Sequence, residues 1–175
     1  MQLYLIRHPP PKVAAGLCYG ATDLALADDV DATAAAAATL RTQLPPSLPV
    51  FSSPLQRCLA LARALHPAPV SDRRLQEMDF GAWEMRAWDA IERRALDAWA
   101  ADPLHYTPPG GESVRQVQQR VLDFLAGLGP LQHEAAALVT HAGVMKIISG
   151  HAQHLPPADW MQLRFAYGSV VRVTL

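Results

Sequence analysis

The stretch "LYLIRHPPP" (residues 3–11) decides how the chain is read. Four mostly apolar residues form a short buried strand that runs straight into Arg7, His8 and three prolines. Proline lacks the N–H that a helix needs, and it biases the residue before it toward extended backbone. The strand therefore ends by presenting a cation and an imidazole. The prolines hold that end open, so the loop departs and the imidazole faces a cleft.

Working outward, the pattern alternates between strand and helix. A strand over 2–6 is followed by a proline-containing loop to residue 27 and an alanine-rich helix over 28–44. Asp28, Asp29 and Asp31 lie in or near the first turn of that helix, where the dipole favours anions. Pro45, Pro46 and Pro49 end it. A second strand over 49–53 leads into "SPLQRCLALARALHP", read as a helix with Ser53 at the N-cap, Pro54 at the first helical position and an apolar stripe through Leu55, Cys58, Leu59, Ala62 and Leu65. A short strand is expected near Val70.

Residues 86–101 read as a helix with Trp88, Ile91, Ala95 and Trp99 on one face. Ser113 and Gln116 form a capping box ahead of a stripe through Val117, Val121, Phe124 and Leu128. Residues 135–140 form a buried strand, "GVMKIISG" a short helix, and the last segment a hairpin around Gly168. Strands alternating with helices imply an α/β fold: one domain over 1–175, a three-layer sandwich with a mostly parallel sheet flanked by helices.

Bulk properties narrow the function. The chain has 175 residues, 50% hydrophobic and 18% charged, with a formal net charge of -1. That balance gives no general attraction to nucleic acid or an anionic membrane, so any anion site must be a local cluster of cations. Cys18 and Cys58 have no metal-type spacing and read as buried free thiols. No signal peptide or membrane span is evident, which makes a reducing cytoplasm the expected compartment.

In open α/β sheets ligands gather at the carboxyl ends of strands. Arg7 and His8 follow the first strand, and Ser53 and Arg57 the second. His141, Ala142 and Gly143 follow the strand at 135–140. An isolated arginine in a first helical turn faces the positive end of the dipole and is usually solvated. Beside Arg7, His8 and His141 it instead suits an anion at the helix terminus. Arginine matches phosphate oxygens bidentately, and a protonated histidine adds charge. A neutral histidine can attack phosphorus itself. No metal ligand cluster and no cofactor motif is present in the sequence.

"LIRH", "SSPLQRCLALA", "LQEMDFGAWE" (75–84), "GGES" (110–113) and "VTHAGV" resemble, in order across nearly the whole chain, the histidine phosphatase superfamily. That superfamily includes the cofactor-dependent phosphoglycerate mutases. The resemblance implies a phosphoglycerate mutase-like fold and a phosphohistidine mechanism. His8 would be the nucleophile, Arg7, Arg57 and His141 would hold the phosphoryl group, and Glu77 would protonate the leaving oxygen. Read from the residues alone, Glu77 is an ordinary glutamate after a strand. The family usually has glycine after the nucleophile where this chain has Pro9, which removes an amide N–H but keeps a carbonyl able to fix the histidine tautomer.

"GLCYGATDLAL" (16–26) resembles the α-ribazole 5′-phosphate phosphatases of cobalamin biosynthesis, with Tyr19 and Gly20 lining the pocket. Ser53, Ala142 and Gly143 complete the expected substrate contacts. Trp88, Trp99 and the loop "HYTPPGG" are placed to wall the substrate side, though Trp83, Trp88 and Trp99 read first as core. A small phosphorylated metabolite is the expected partner, with no nucleic acid and no membrane; a homodimer stays open. A broad-specificity phosphatase, a mutase-like enzyme and a phosphate-binding module that has lost turnover stay open as alternatives.

Overall fold

A computed structural model describes residues 1–27, 29–129 and 133–175. The chain runs β1 (Gln2–Arg7), α1 (Val30–Arg41), β2 (Val50–Ser52), α2 (Gln56–Leu65), β3 (Val70–Ser71), α3 (Arg93–Ala101), α4 (Val114–Leu128), β4 (Ala135–Thr140), α5 (Ala142–Ala152), α6 (Pro157–Trp160) and β5 (Val170–Thr174). Short 3-10 turns fill Arg73–Leu75, Gly81–Trp83 and Trp88–Ala90. The five strands form one sheet in the order β3-β2-β4-β1-β5, parallel except for β5.

Strand alternation sorts the core into two faces. Leu3, Leu5 and Leu138 pack with Val121, Phe124 and Leu128 of α4 and Met145 and Ile148 of α5. Tyr4, Ile6 and Val139 pack on the other face with Ala37 and Leu40 of α1 and Cys58 and Leu61 of α2. The result is the three-layer α/β sandwich anticipated from the sequence. A third, smaller cluster around Cys18, Trp83 and Ile91 lies outside the layers. Both cysteines are buried and unpaired.

Local readings need four corrections. The helix read over 28–44 begins only at Val30, where Asp29 caps α1 by accepting from the Ala32 N–H, and Asp28 lies outside the described residues. The helix stops at Arg41, where Thr42 turns its hydroxyl back to the Thr39 carbonyl. The N-cap of α2 is Leu55, not Ser53, and its terminus is served from a distant loop: Asp23 accepts from the Gln56 N–H at 2.6 Å. Residues 86–101 are helical only from Arg93, because Ala87 is drawn into a bridge with Leu17 and Trp88–Ala90 tighten into a 3-10 turn.

The final segment is also not a hairpin. Residues 161–169 are irregular, and β5 pairs with β1 instead of with its own preceding segment. Gly168 still provides the turn, at φ +68. This turn brings Phe165 and Tyr167 against Arg7, and so contributes to the site.

Candidate active site

Register places the key residues in one row. β1 and β4 pair Arg7 with Thr140, and β2 and β4 pair Ser52 with Val139. His8 N–H donates to the Thr140 carbonyl at 3.1 Å, and Ser53 N–H to the Val139 carbonyl at 3.0 Å. Three adjacent strand ends thus deliver His8, Ser53 and His141 side by side. The His8 and His141 rings lie 5.1 Å apart, centroid to centroid.

His8 is buried, and its Nδ1 lies 2.6 Å from the carbonyl of Pro9. A carbonyl only accepts, so Nδ1 carries the proton and Nε2 keeps its lone pair. Burial, followed by the charges of Arg57 and Arg7, lowers the His8 pKa from 6.5 to about 3. The ring is therefore neutral across the physiological range.

The two arginines are held by backbone carbonyls. Arg7 donates from Nη1 to the Phe165 carbonyl at 2.6 Å, and its guanidinium carbon sits 3.7 Å from the centroid of the Tyr167 ring. Arg57, fully buried, donates to the carbonyls of Thr22 at 2.8 Å and Gly20 at 2.6 Å. Each arginine also has a buried Nε without a hydrogen-bond partner among the described residues. Such orphaned donors are uncommon in folded proteins.

The loop that grips Arg57 is fixed by Glu84, a residue given no role in the sequence reading. Its carboxylate accepts from the N–H groups of Gly20 and Ala21 at 3.0 Å, Thr22 at 3.2 Å and Phe80 at 3.0 Å, and from the Thr22 hydroxyl. Burial alone would raise its pKa, but the Thr22 hydroxyl and the Phe80, Gly20 and Ala21 N–H bonds outweigh it and hold the carboxyl below its usual range. Gly20 serves close approach, since a Cβ there would fall 1.8 Å from the Met78 carbonyl oxygen.

His141 is buried beneath His8, with Nε2 2.8 Å from the Ser53 hydroxyl and 3.4 Å from the Cys58 sulfur. Burial, then the charges of Arg57 and His8, keeps its pKa well below 6.5. The protonated histidine expected from sequence is therefore neutral here, because burial, ahead of the neighbouring charges, disfavours the charged ring.

Glu77 sits across the site. Its carboxylate accepts from the N–H of Met78 at 3.0 Å and of Gly143 at 3.1 Å. A Cβ on residue 143 would come 2.2 Å from Glu77 Oε1, so glycine there makes room for the carboxylate. The backbone carrying Glu77 is gripped by Arg120 of α4. Its Nη1 donates to the Arg74 and Gln76 carbonyls at 2.8 Å, and its Nη2 to the Glu77 carbonyl at 3.1 Å. The remaining guanidinium donors form a fork on Glu112, both at 2.9 Å. Glu112 in turn accepts from the Asp79 N–H at 3.0 Å.

A cavity of about 470 Å³ opens over these groups, lined by Arg7, His8, Arg57, Glu77, His141 and Gly143, and also by Tyr19. The Tyr19 hydroxyl lies 2.7 Å from that of Tyr167. Ser53, Gly20 and Ala142 do not line it. Ser53 is fully buried against His141, and Gly20 faces Met78 and Arg57, so both support the site from behind. Trp88 and Trp99 line the cavity, whereas Trp83 is buried behind them. Lys146, Trp160 and Met161 also line it. Lys146 lies three residues beyond Gly143 in α5, a spacing that puts the two on one face of the helix; nothing in the sequence marks the other two. Among the described residues, no group of three or more His, Cys, Asp or Glu side chains is placed to hold a metal ion.

The family profile of the histidine phosphatase superfamily (branch 1) matches residues 3–175. The chain belongs to that superfamily. Among its histidine phosphatase relatives, the adenosylcobalamin/alpha-ribazole phosphatase of Escherichia coli K12 is 34% identical over 125 residues, covering 63% of this chain and 62% of that protein. The protein of the same description from Salmonella typhimurium is 27% identical over 96% of this chain and 87% of its own length. In structure, the mycobacterial glucosyl-3-phosphoglycerate phosphatase complexed with VO3 superposes at TM-score 0.85 and 27% identity, over 99% of this chain and 92% of that one. A putative alpha-ribazole-5'-P phosphatase from Escherichia coli K-12 gives TM-score 0.85 at 28% identity, over 98% and 89%.

Proposed function

We propose that the protein is a metal-independent phosphomonoesterase that works through a phosphohistidine on His8. The observation that carries this reading is the His8–Pro9 hydrogen bond, which fixes the proton on Nδ1 of a ring held neutral by burial and leaves Nε2 free beside two arginines. In the first step Nε2 attacks phosphorus and the P–O bond to the alcohol breaks. The alcohol oxygen takes a proton from the Glu77 carboxyl. Arg7 and Arg57 bear the charge on the equatorial oxygens, and His141, steadied by Ser53, donates to one of them. In the second step water gives a proton to Glu77 and attacks phosphorus, releasing phosphate and restoring His8. Pro9, which replaces the family's glycine, supplies the orienting carbonyl, so the substitution is compatible with turnover.

The substrate we assign is α-ribazole 5′-phosphate, in cobalamin biosynthesis. The segment at 16–26 and the likeness to two adenosylcobalamin/alpha-ribazole phosphatases support it. A broader phosphomonoesterase is the second reading, favoured by a structural relative that is a phosphatase of a different ester, glucosyl-3-phosphoglycerate. Buried, unpaired Cys18 and Cys58 suit a cytoplasmic location. No helix among the described residues is long and apolar enough to cross a membrane.

The test is hydrolysis with excess chelator, comparing kcat/KM for 4-nitrophenyl phosphate, α-ribazole 5′-phosphate, 3-phosphoglycerate and sugar phosphates. Turnover of all of them at similar rates would support the broader reading. Phosphate binding without turnover of any would leave a binding module.

A further inference from the structure

A second cavity, of about 490 Å³, backs onto the segment that carries Glu77. Its volume lies in the range of pockets that enclose a small molecule. The two cavities share Glu77 and no other lining residue, so the stretch from Arg73 to Asp79 is the wall between them. Arg7, His8, Arg57 and His141 line the first cavity and not the second.

The second cavity carries charge of both signs. Arg73, Arg74 and Arg120 stand against Glu77, Asp79 and Glu112. Most of these groups are already committed. Arg74 pairs with Asp72 at 2.7 Å, Arg120 forks onto Glu112, and Glu77 accepts the N–H groups of Met78 and Gly143. Two are not. Arg73 is exposed and makes no ion pair among the described residues. Asp79 accepts the Gly81 N–H on Oδ1 at 2.8 Å, and its Oδ2 has no protein donor among the described residues.

These two uncommitted charges sit at opposite ends of the wall. Between them the chain is held from the α4 side. Arg120 donates to the carbonyls of residues 74, 76 and 77. Glu112 takes the Asp79 N–H at 3.0 Å and gives its own N–H to the Asp79 carbonyl at 2.8 Å. A molecule joining the two ends would brace the same stretch that delivers Glu77 to the first cavity.

We propose that the second cavity is an effector site for a small zwitterion, with its carboxylate on Arg73 and its ammonium on Asp79, and that its occupation braces the wall that aims Glu77. A guanidinium matches a carboxylate in a planar fork, and an ammonium suits the open carboxylate oxygen. A ligand of one sign would be repelled by the like-charged half of the lining. Binding here is independent of the chemistry at His8. The effect on Glu77 rests on the phosphatase reading.

Calorimetric titration with triglycine, with and without orthovanadate, tests the site. Triglycine should bind with the same affinity in both; no binding, or binding abolished by vanadate, overturns the proposal. N-acetyltriglycine and triglycinamide each lack one terminal charge and should bind about threefold more weakly or worse. Triglycine should lose a similar factor on Arg73→Ala and on Asp79→Asn, and affinities that do not change overturn the assignment. Without triglycine, Arg73→Ala should turn over esters like the wild type.

Saturating triglycine should raise kcat/KM for an alkyl phosphate by about fivefold and leave 4-nitrophenyl phosphate nearly unchanged. Equal effects on both esters, or none, overturn the coupling. Triglycine binding by a protein inert toward every ester would keep the site and remove the phosphatase reading together with the coupling. Turnover without triglycine binding would do the reverse.

Discussion

On His8, the position of one proton sets what the ring can do. With Nδ1–H committed to the Pro9 carbonyl, Nε2 is the nitrogen that keeps a lone pair, and burial keeps the ring uncharged. The same burial has a consequence for stability. The unfolded chain binds a proton at His8 near 6.5, while the folded ring resists until about 3. The stability contributed is therefore whole above pH 6.5 and is lost as pH falls from there toward 3. His141 shifts in the same direction. Each ring should cost about 1.4 kcal/mol of stability per pH unit below pH ~6. Urea unfolding at pH 7.5 and at pH 5.5 should show this loss, and His8→Gln should remove its own share. A midpoint that does not move between those pH values would contradict the neutral, buried imidazoles. For Glu77, Glu77→Gln should slow an alkyl phosphate far more than 4-nitrophenyl phosphate, whose leaving group needs little protonation. Equal losses on both would remove Glu77 as the acid.

Among the secondary-structure elements, α4 both lines the cavity, through Val114 and Val117, and supports it from behind. It carries Arg120, whose fork on Glu112 and three bonds to the carbonyls of residues 74, 76 and 77 hold the segment that aims Glu77. Arg120→Ala should therefore show the leaving-group signature of Glu77→Gln, with an alkyl phosphate losing about tenfold more kcat/KM than 4-nitrophenyl phosphate. Arg120→Lys, which keeps the charge but not the planar fork, should stay impaired. Losses equal on both substrates would make Arg120 a general structural residue. Its position was not legible in the sequence, because a side chain on the flank of an amphipathic helix shows only its period and not the loop it meets. The same limit explains α2, where Asp23, thirty-three positions away, does the capping that local spacing gave to Ser53. It also explains the Trp88 turn, where the bridge between Leu17 and Ala87 overrides a helical pattern.

For the whole molecule, the sequence revealed what strand ends impose and concealed what irregular chain imposes. Arg7, His8, Ser53, Arg57 and His141 each sit at or just beyond a strand terminus, so their convergence follows once the sheet is parallel. Residues 153–169 have no period to read, yet they deliver Tyr167 over Arg7 and bring Trp160 and Met161 to the cavity. Sequence alone places Tyr19 and Gly20 of the loop at 16–26 in the pocket lining, and Tyr19 does line the cavity. The loop's larger contribution is structural, because Glu84 locks it and its carbonyls hold Arg57. The histidines and Arg7 thus sit at strand ends and Arg57 one turn into α2, whereas Glu77 and much of the remaining cavity wall come from the segments joining the strands. At this scale the expected substrate order is α-ribazole 5′-phosphate over 3-phosphoglycerate in kcat/KM, since the cavity beyond the cradle is mostly apolar. A preference for 3-phosphoglycerate would place the protein with the mutase-like enzymes.

The central claim is a covalent bond between phosphorus and Nε2 of His8, and rapid quenching tests it most directly. Protein mixed with a phosphomonoester, quenched in base within milliseconds and digested, should yield an acid-labile phosphorylated peptide that contains residue 8, and His8→Ala should yield none. A labelled peptide that lacks residue 8, or label that persists in His8→Ala, would contradict the account.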